Sequence, residues 1–150
     1  MQIHEMTLEE HPFLTGIAAQ HHALLMGCAQ SATFTPGSYL FHEGEPANAF
    51  YLLLKGKVML EVSTSKQAAL PIETIEAGEV LGWSWLFTPY RWHFSARAIE
   101  PVQASVLDAA CLRAKCEEDH TFGYTVVTKI ASILMQRLQA TRLQLLDLYQ

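Results

Sequence analysis

Gly78-Glu79-Val80-Leu81-Gly82-Trp83-Ser84-Trp85-Leu86-Phe87-Thr88-Pro89-Tyr90-Arg91-Trp92-His93-Phe94-Ser95-Ala96-Arg97-Ala98-Ile99 is the stretch on which the reading of this chain turns. Two glycines four residues apart precede a short apolar run, then a loop with a proline, then a segment of alternating residues. All three tryptophans of the protein fall inside it. A glycine turn offers unpaired backbone N–H groups and a neighbouring strand adds side chains, a combination that can hold a small anion. The stretch is therefore the candidate ligand site.

At its C-terminal end and on either side of it the apolar period is two. Thr33–Thr35, Tyr39–Phe41, Phe50–Leu54, Val58–Val62, Ile72–Ile75, His93–Ile99 and Val102–Leu107 read as short strands. Pro36-Gly37, Glu43-Gly44-Glu45-Pro46, Lys55-Gly56-Lys57, Ala77-Gly78 and Glu100-Pro101 punctuate them. Strands this close together predict a mainly β protein built as an antiparallel barrel, sandwich or jelly roll over residues 32–108. Ser63–Ala69 is small and polar and reads as a mobile hairpin tip.

Helices flank the β region. Thr7-Leu8-Glu9-Glu10 has capping-box spacing and predicts a short helix ending near Thr15-Gly16. Ala18–Cys28 predicts a second, completing an N-terminal helical segment over 7–30; its adjacent His21 and His22 point in different directions and read as surface positions. Asp108 is placed to cap Ala109–Glu118, and Asp119 or Thr121 to cap a long helix reaching about Tyr149. Along that helix Val127, Ile130, Leu134, Leu138, Thr141, Leu145 and Leu148 recur at steps of three and four, a seam suited to pairing with a second copy. In its first half, packing on the β region of the same chain is an equal expectation.

The chain has 150 residues, half of them hydrophobic and 17% charged, which predicts one folded domain rather than disorder. Its formal charge of −5, with scattered basic residues, disfavours a nucleic-acid surface. Met1–Glu10 carries three acids and no basic residue, unlike a signal peptide, and no apolar run approaches the roughly 18 residues that span a bilayer. Three cysteines fit a reducing, cytoplasmic setting better than a disulfide framework. Cys111, Cys116 and His120 form a C-x4-C-x3-H cluster without a fourth ligand, so no metal is expected and the thiols read as incidental. Neither a nucleophile elbow, a Walker loop nor a paired-carboxylate setting is present, so the protein does not read as an enzyme.

Pro36-Gly37-Ser38-Tyr39-Leu40-Phe41 with Glu43-Gly44-Glu45-Pro46, then Phe50–Val58 around Gly56, then Gly78 and Gly82, resembles the cyclic nucleotide-binding domain. More closely it is similar to the sensor half of bacterial catabolite-activator (Crp/Fnr-type) regulators, over about residues 8–148. The resemblance implies a β-roll, a phosphate-binding cassette at Gly82 and a dimer helix around Gln136–Thr141. In that family a Glu follows the cassette glycine and meets the ribose, and an Arg before an Ala-x-Val strand pairs with the cyclic phosphate. Matching Gly82 to the cassette glycine puts Trp83 where the Glu belongs. Matching Ala96 and Ala98 to the strand puts Phe94 at the Arg position, with Ser95 beside it. Aromatics at both anchors disfavour cAMP, because its phosphate would be desolvated without an ion pair. A second register takes Gly78-Glu79 as the pair and Arg91 as the anion contact, but leaves Gly82 unexplained.

The expected pocket is thus Gly82, Trp83, Ser84, Trp85, Leu86, Arg91, Phe94 and Ser95. Its aromatics read first as filling of the vacated site, then as the lining for a flat apolar ligand, then as a partner surface. Arg91 reads as a solvated arginine or one stacked on Trp92 or Tyr90. The resulting expectation is a regulatory module without a cofactor, homodimeric through its C-terminal helix, that signals through an unidentified small ligand or a protein partner. The alternatives are a true cAMP or cGMP sensor using Arg91 and backbone amides, and an interaction subunit with a filled pocket. The helix-turn-helix of the regulators would come after the long helix, where this chain stops at Gln150, so no DNA binding by the chain alone is expected.

Overall fold

A computed structural model describes residues 6–149. The first five residues, half of the acidic N-terminal stretch, and Gln150 lie outside it. The chain divides into two compact units, one ending at Arg113 and the other starting at Ala114.

In the first unit, Thr7 and Glu10 form the expected capping box, Thr7 N donating to Glu10 Oε1 at 3.2 Å and Thr7 Oγ1 adding a bond to the same oxygen at 2.9 Å. The box opens two 3-10 turns, Leu8–Glu10 and Pro12–Leu14, which lead into helix α1 (Ala19–Met26). Proline at the first position of the second turn suits a short turn, since its missing N–H would be unpaired there anyway. Eight strands come next: β1 (Ala29–Phe34), β2 (Tyr39–Phe41), β3 (Ala49–Lys55), β4 (Lys57–Val62), β5 (Leu70–Glu76), β6 (Val80–Leu81), β7 (Ser95–Ala98) and β8 (Val102–Asp108). They make two antiparallel four-stranded sheets, ordered β1-β8-β3-β6 and β2-β7-β4-β5. This is the expected β-roll. β1 begins at Ala29, before the expected boundary, and β7 omits His93 and Phe94.

The sheets are held by what they bury. β3, the most apolar strand, is buried from Ala49 to Leu54 and pairs with both β8 and β6. In the other sheet Val58, Leu60, Ile75, Ala96 and Ala98 are buried, in keeping with strand alternation. Gly37, Gly44, Gly56, Gly78 and Gly82 all have φ of 88–92°, as their turns require. Gly56 has a second reason: a β-carbon there would run into the carbonyl of Pro101.

α2 (Ala109–Glu118) is started by Asp108, whose Oδ2 accepts from Cys111 N at 2.8 Å. In the second unit α3 runs His120–Leu148, capped by Asp119, which accepts from Phe122 N at 3.1 Å. Gly123 lets the two helices meet, since a β-carbon there would lie 2.9 Å from the carbonyl oxygen of Cys116.

Candidate functional site

The cassette leaves β6 at Gly82, whose left-handed backbone turns the chain into a 3-10 turn over Trp83–Leu86. The chain returns through a cis Thr88–Pro89 peptide and a left-handed Tyr90 (φ 57°). The return limb is tied to the β2–β3 turn by backbone bonds. Ala47 N donates to Tyr90 O at 2.7 Å, Trp92 N to Glu45 O at 3.0 Å and Gly44 N to Trp92 O at 2.8 Å.

Residues 92, 94, 96 and 98 share a parity, and Trp92, Ala96 and Ala98 are buried while Phe94 is half-buried. Ser95 and Arg97 take the opposite face of β7. Trp92 is the residue that reaches the cassette turn: a β-carbon on Gly82 would meet its ring at 2.8 Å. The same ring stacks on Phe41, with centroids 3.8 Å apart and planes 16° from parallel. Phe94, expected at the position of the family's arginine, touches Phe41 and Trp83 at centroid distances of 5.8 and 6.3 Å. The parity was legible in the sequence. The irregular backbone before Ser95, which brings Trp92 over Gly82, was not.

Among the other expected pocket residues, Ser84 and Trp85 are buried beneath the turn and Leu86 is half-buried. Trp85 packs on Phe50 at 5.7 Å, and its Nε1 is buried without a hydrogen-bond partner. Ser84 Oγ lies 3.3 Å from His93 Nδ1. Tyr51, also in this cluster at 5.6 Å from Phe41, has its phenol pushed up to about 12 by burial and then by the charge of Glu45.

The charged groups of the stretch face elsewhere. Arg91 is exposed and donates to Gly44 O at 2.9 Å. The cation over the Tyr90 ring is Arg113, 4.6 Å from its centroid, so of the readings of Arg91 it is the stacked arrangement on Tyr90 that the structure gives to another residue. Arg97 makes a forked contact with Glu61, Nε at 3.1 Å and a terminal nitrogen at 2.7 Å, and Tyr39 Oη donates to the same carboxylate at 3.0 Å. Arg97 chiefly, with help from Tyr39, holds the Glu61 carboxyl below the usual carboxylate range against the cost of burial. Ser95 belongs to this outer face, accepting from Glu43 N at 2.9 Å and lining a cleft of about 520 Å³ with Tyr39, Glu43 and Glu61. Arg91 and Ser95 are therefore not gathered with the Gly82 turn, because β7 alternation and the tie to Gly44 turn them outward.

Two smaller expectations are corrected. His21 is buried and His22 is half-buried, 3.0 Å from Ile17 O, because α1 is short and lies with His21 and Leu25 inward. Cys111 is not an incidental thiol: it is disulfide-bonded to Cys28, 83 residues away, with Cα atoms 5.7 Å apart. The distant pairing of β1 with β8 brings them together, which local spacing could not reveal. Cys116 is free, and among the described residues no group of three His, Cys, Asp or Glu side chains is placed to hold a metal.

On α3 the expected seam is divided between faces. Ile130 is buried together with Phe122 and Val126 on a four-residue stripe, and Leu134 is half-buried. Val127, Leu138, Thr141, Leu145 and Leu148 are exposed, as are Met135 and Leu146 beside them. From Leu138 to Tyr149 every residue is exposed.

A family model described as the cyclic nucleotide-binding domain matches residues 32–119. Among solved structures, a candidate cyclic nucleotide-binding protein from Geobacter metallireducens GS-15 is 27% identical, with a TM-score of 0.79 over 87% of this chain and 95% of that one. The catabolite activator protein of Thermus thermophilus shares the fold, with a TM-score of 0.72 at 24% identity over 89% of this chain and 61% of that one. A cAMP-dependent protein kinase regulatory subunit from Emericella nidulans is 27% identical over 81 residues, 54% of this chain and 19% of that one. The chain spans about a fifth or less of the curated relatives it matches. Among the described residues, no helix is long and apolar enough to cross a membrane.

Proposed function

Because the chain belongs to the cyclic nucleotide-binding domain family, we propose that it is a regulatory module whose cassette is closed by Trp92 and that signals through protein contacts rather than cyclic nucleotide. One observation carries this: the Trp92 ring, stacked on Phe41, fills the space over Gly82. A phosphate brought to that turn would have to displace a buried indole and would lose its hydration without a new ion pair. The two arginines of the stretch are engaged with Gly44 O and Glu61.

The protein contact we assign is a second copy of this chain, met through the exposed apolar face of α3. Leu138, Leu145, Leu146 and Leu148 lie along its last three turns, and a solvated helix does not retain that much apolar surface without a partner. Similarity to a cAMP-dependent kinase subunit supports a second reading, in which Arg91 leaves Gly44 to bind an anion.

Isothermal titration of cAMP and cGMP into the protein and into Arg91→Ala separates the two. No heat at millimolar nucleotide is the expected result. Micromolar binding that is lost in Arg91→Ala would establish the second reading instead.

A further inference from the structure

The disulfide between Cys28 and Cys111 stands where it can control the cassette. Cys28 closes the α1–β1 junction and Cys111 lies in the first turn of α2. Two residues further along that helix, Arg113 donates to Trp85 O at 2.7 Å and covers the Tyr90 ring. These contacts grip both limbs of the cassette, the 3-10 turn and the left-handed return. α2 is thus fastened to the cassette by Arg113 and to β1 by the sulfur bridge.

The bridge is reachable. It forms part of the wall of an open cleft of about 550 Å³, with Asn48, Ala49, Tyr51 and Asp108. Cys28 is 5% exposed, whereas Cys111 is only half-buried as a residue. The strands hold without it: Asp108 N donates to Cys28 O at 2.9 Å, and Ala29 pairs with Leu107. Opening the bridge would therefore release Cys111 from the α1–β1 junction without unpicking the sheet, leaving α2 held by Ala109 N on Asn48 O at 3.0 Å, the buried Leu112 and Arg113.

We propose that Cys28–Cys111 is a thiol–disulfide exchange site for a dithiol reductant or its oxidised form, and that its state sets how firmly Arg113 holds the cassette. In the reducing direction a thiolate of the dithiol attacks Cys111 Sγ and breaks the Cys28–Cys111 bond. Cys28 leaves as a thiolate and takes a proton. The second thiol of the reagent then attacks its own sulfur in the mixed disulfide and releases Cys111, which is also protonated. Two electrons pass to the protein and the reagent becomes a cyclic disulfide. Cys116 is not the attacking group, since burial and then the Glu117 charge keep its thiol protonated.

The test uses the whole chain with Cys116→Ser, so that only the two cysteines of interest are counted. After exposure to oxidised dithiothreitol the thiol count is expected to be zero, and after reduced dithiothreitol two. The emission of the tryptophans, all three in the cassette stretch, is expected to shift between the states. In Arg113→Ala the thiol count changes as before but the emission shift falls at least twofold; Arg113→Gln, which removes the cation over Tyr90 while keeping much of the side chain, serves if the alanine variant does not fold. Cys28→Ser with Cys111→Ser is expected to show the reduced spectrum and no response to dithiothreitol. Two free thiols after oxidation, or an emission shift the same size in the Arg113 variants, would overturn the proposal.

Discussion

The indole of Trp92 lies over Gly82 so closely that these two residues define the cassette together. A β-carbon at 82 would meet the ring at 2.8 Å, and the glycine has φ of 88°. Gly82→Ala therefore combines left-handed strain with overpacking. It is expected to cost about 3 kcal/mol, read as a lower urea midpoint with little change in slope.

Trp92→Ala removes the same contact from the other side. The loss of a buried indole from between Phe41 and Gly82 is expected to destabilise the fold by about 3–5 kcal/mol. If the variant folds, the vacated space should bind a hydrophobic dye that the parent does not. A cost under about 1 kcal/mol would show that Trp92 is not packed as described.

His11 makes the N-terminal segment sensitive to acid. Its Nδ1 accepts from Phe13 N at 3.1 Å, so Nε2 carries the proton and donates to Glu79 O at 3.1 Å, just before the cassette. Burial holds its pKa below the ordinary 6.5. The unfolded chain thus binds a proton that the folded chain resists. The stabilisation is complete above about pH 6.5 and is lost as pH falls below that towards the depressed folded value. The melting temperature of the parent should drop more steeply between about pH 7 and 5 than that of His11→Gln.

Glu61 titrates with the same sign at lower pH. Its carboxyl is buried between Arg97 and Tyr39, and its pKa is lowered, Arg97 first. Its contribution is present above the unfolded carboxylate value of 4.5 and fades as pH falls through the folded one. Glu61→Ala is expected to cost about 1–3 kcal/mol at neutral pH, less at about pH 3, because Arg97 and Tyr39 lose a charged acceptor. Equal costs at the two pH values would remove the charge from the account.

For α3 the expected observation is a dimer at micromolar concentration by sedimentation, dissociated by Leu138→Asp. Leu138 is 49% exposed, so the fold itself should survive the substitution, as circular dichroism can establish. A parent that sediments as a monomer at that concentration would remove the pairing role from this face.

Much of this protein was legible from local chemistry. Period-two runs between glycine turns specify short antiparallel strands, because side chains alternate and only glycine tolerates those turns without strain. Asp108, Asp119 and the Thr7–Glu10 box announce helix starts, since their side chains answer backbone N–H groups a few residues away. Even the inward parity of Trp92, Phe94, Ala96 and Ala98 is encoded in the alternation of residue types.

Contacts between distant segments were decided only in the tertiary structure. Which aromatic covers Gly82 depends on how residues 90–92 are tied to 44–47, and Arg91 turns to Gly44 for the same reason. Cys28 meets Cys111, and Arg113 meets Tyr90, only after β1 has paired with β8 and the cassette has folded back. Period and capping act over a few residues. The partner of a buried ring, thiol or guanidinium is set by strand order, which no local pattern encodes.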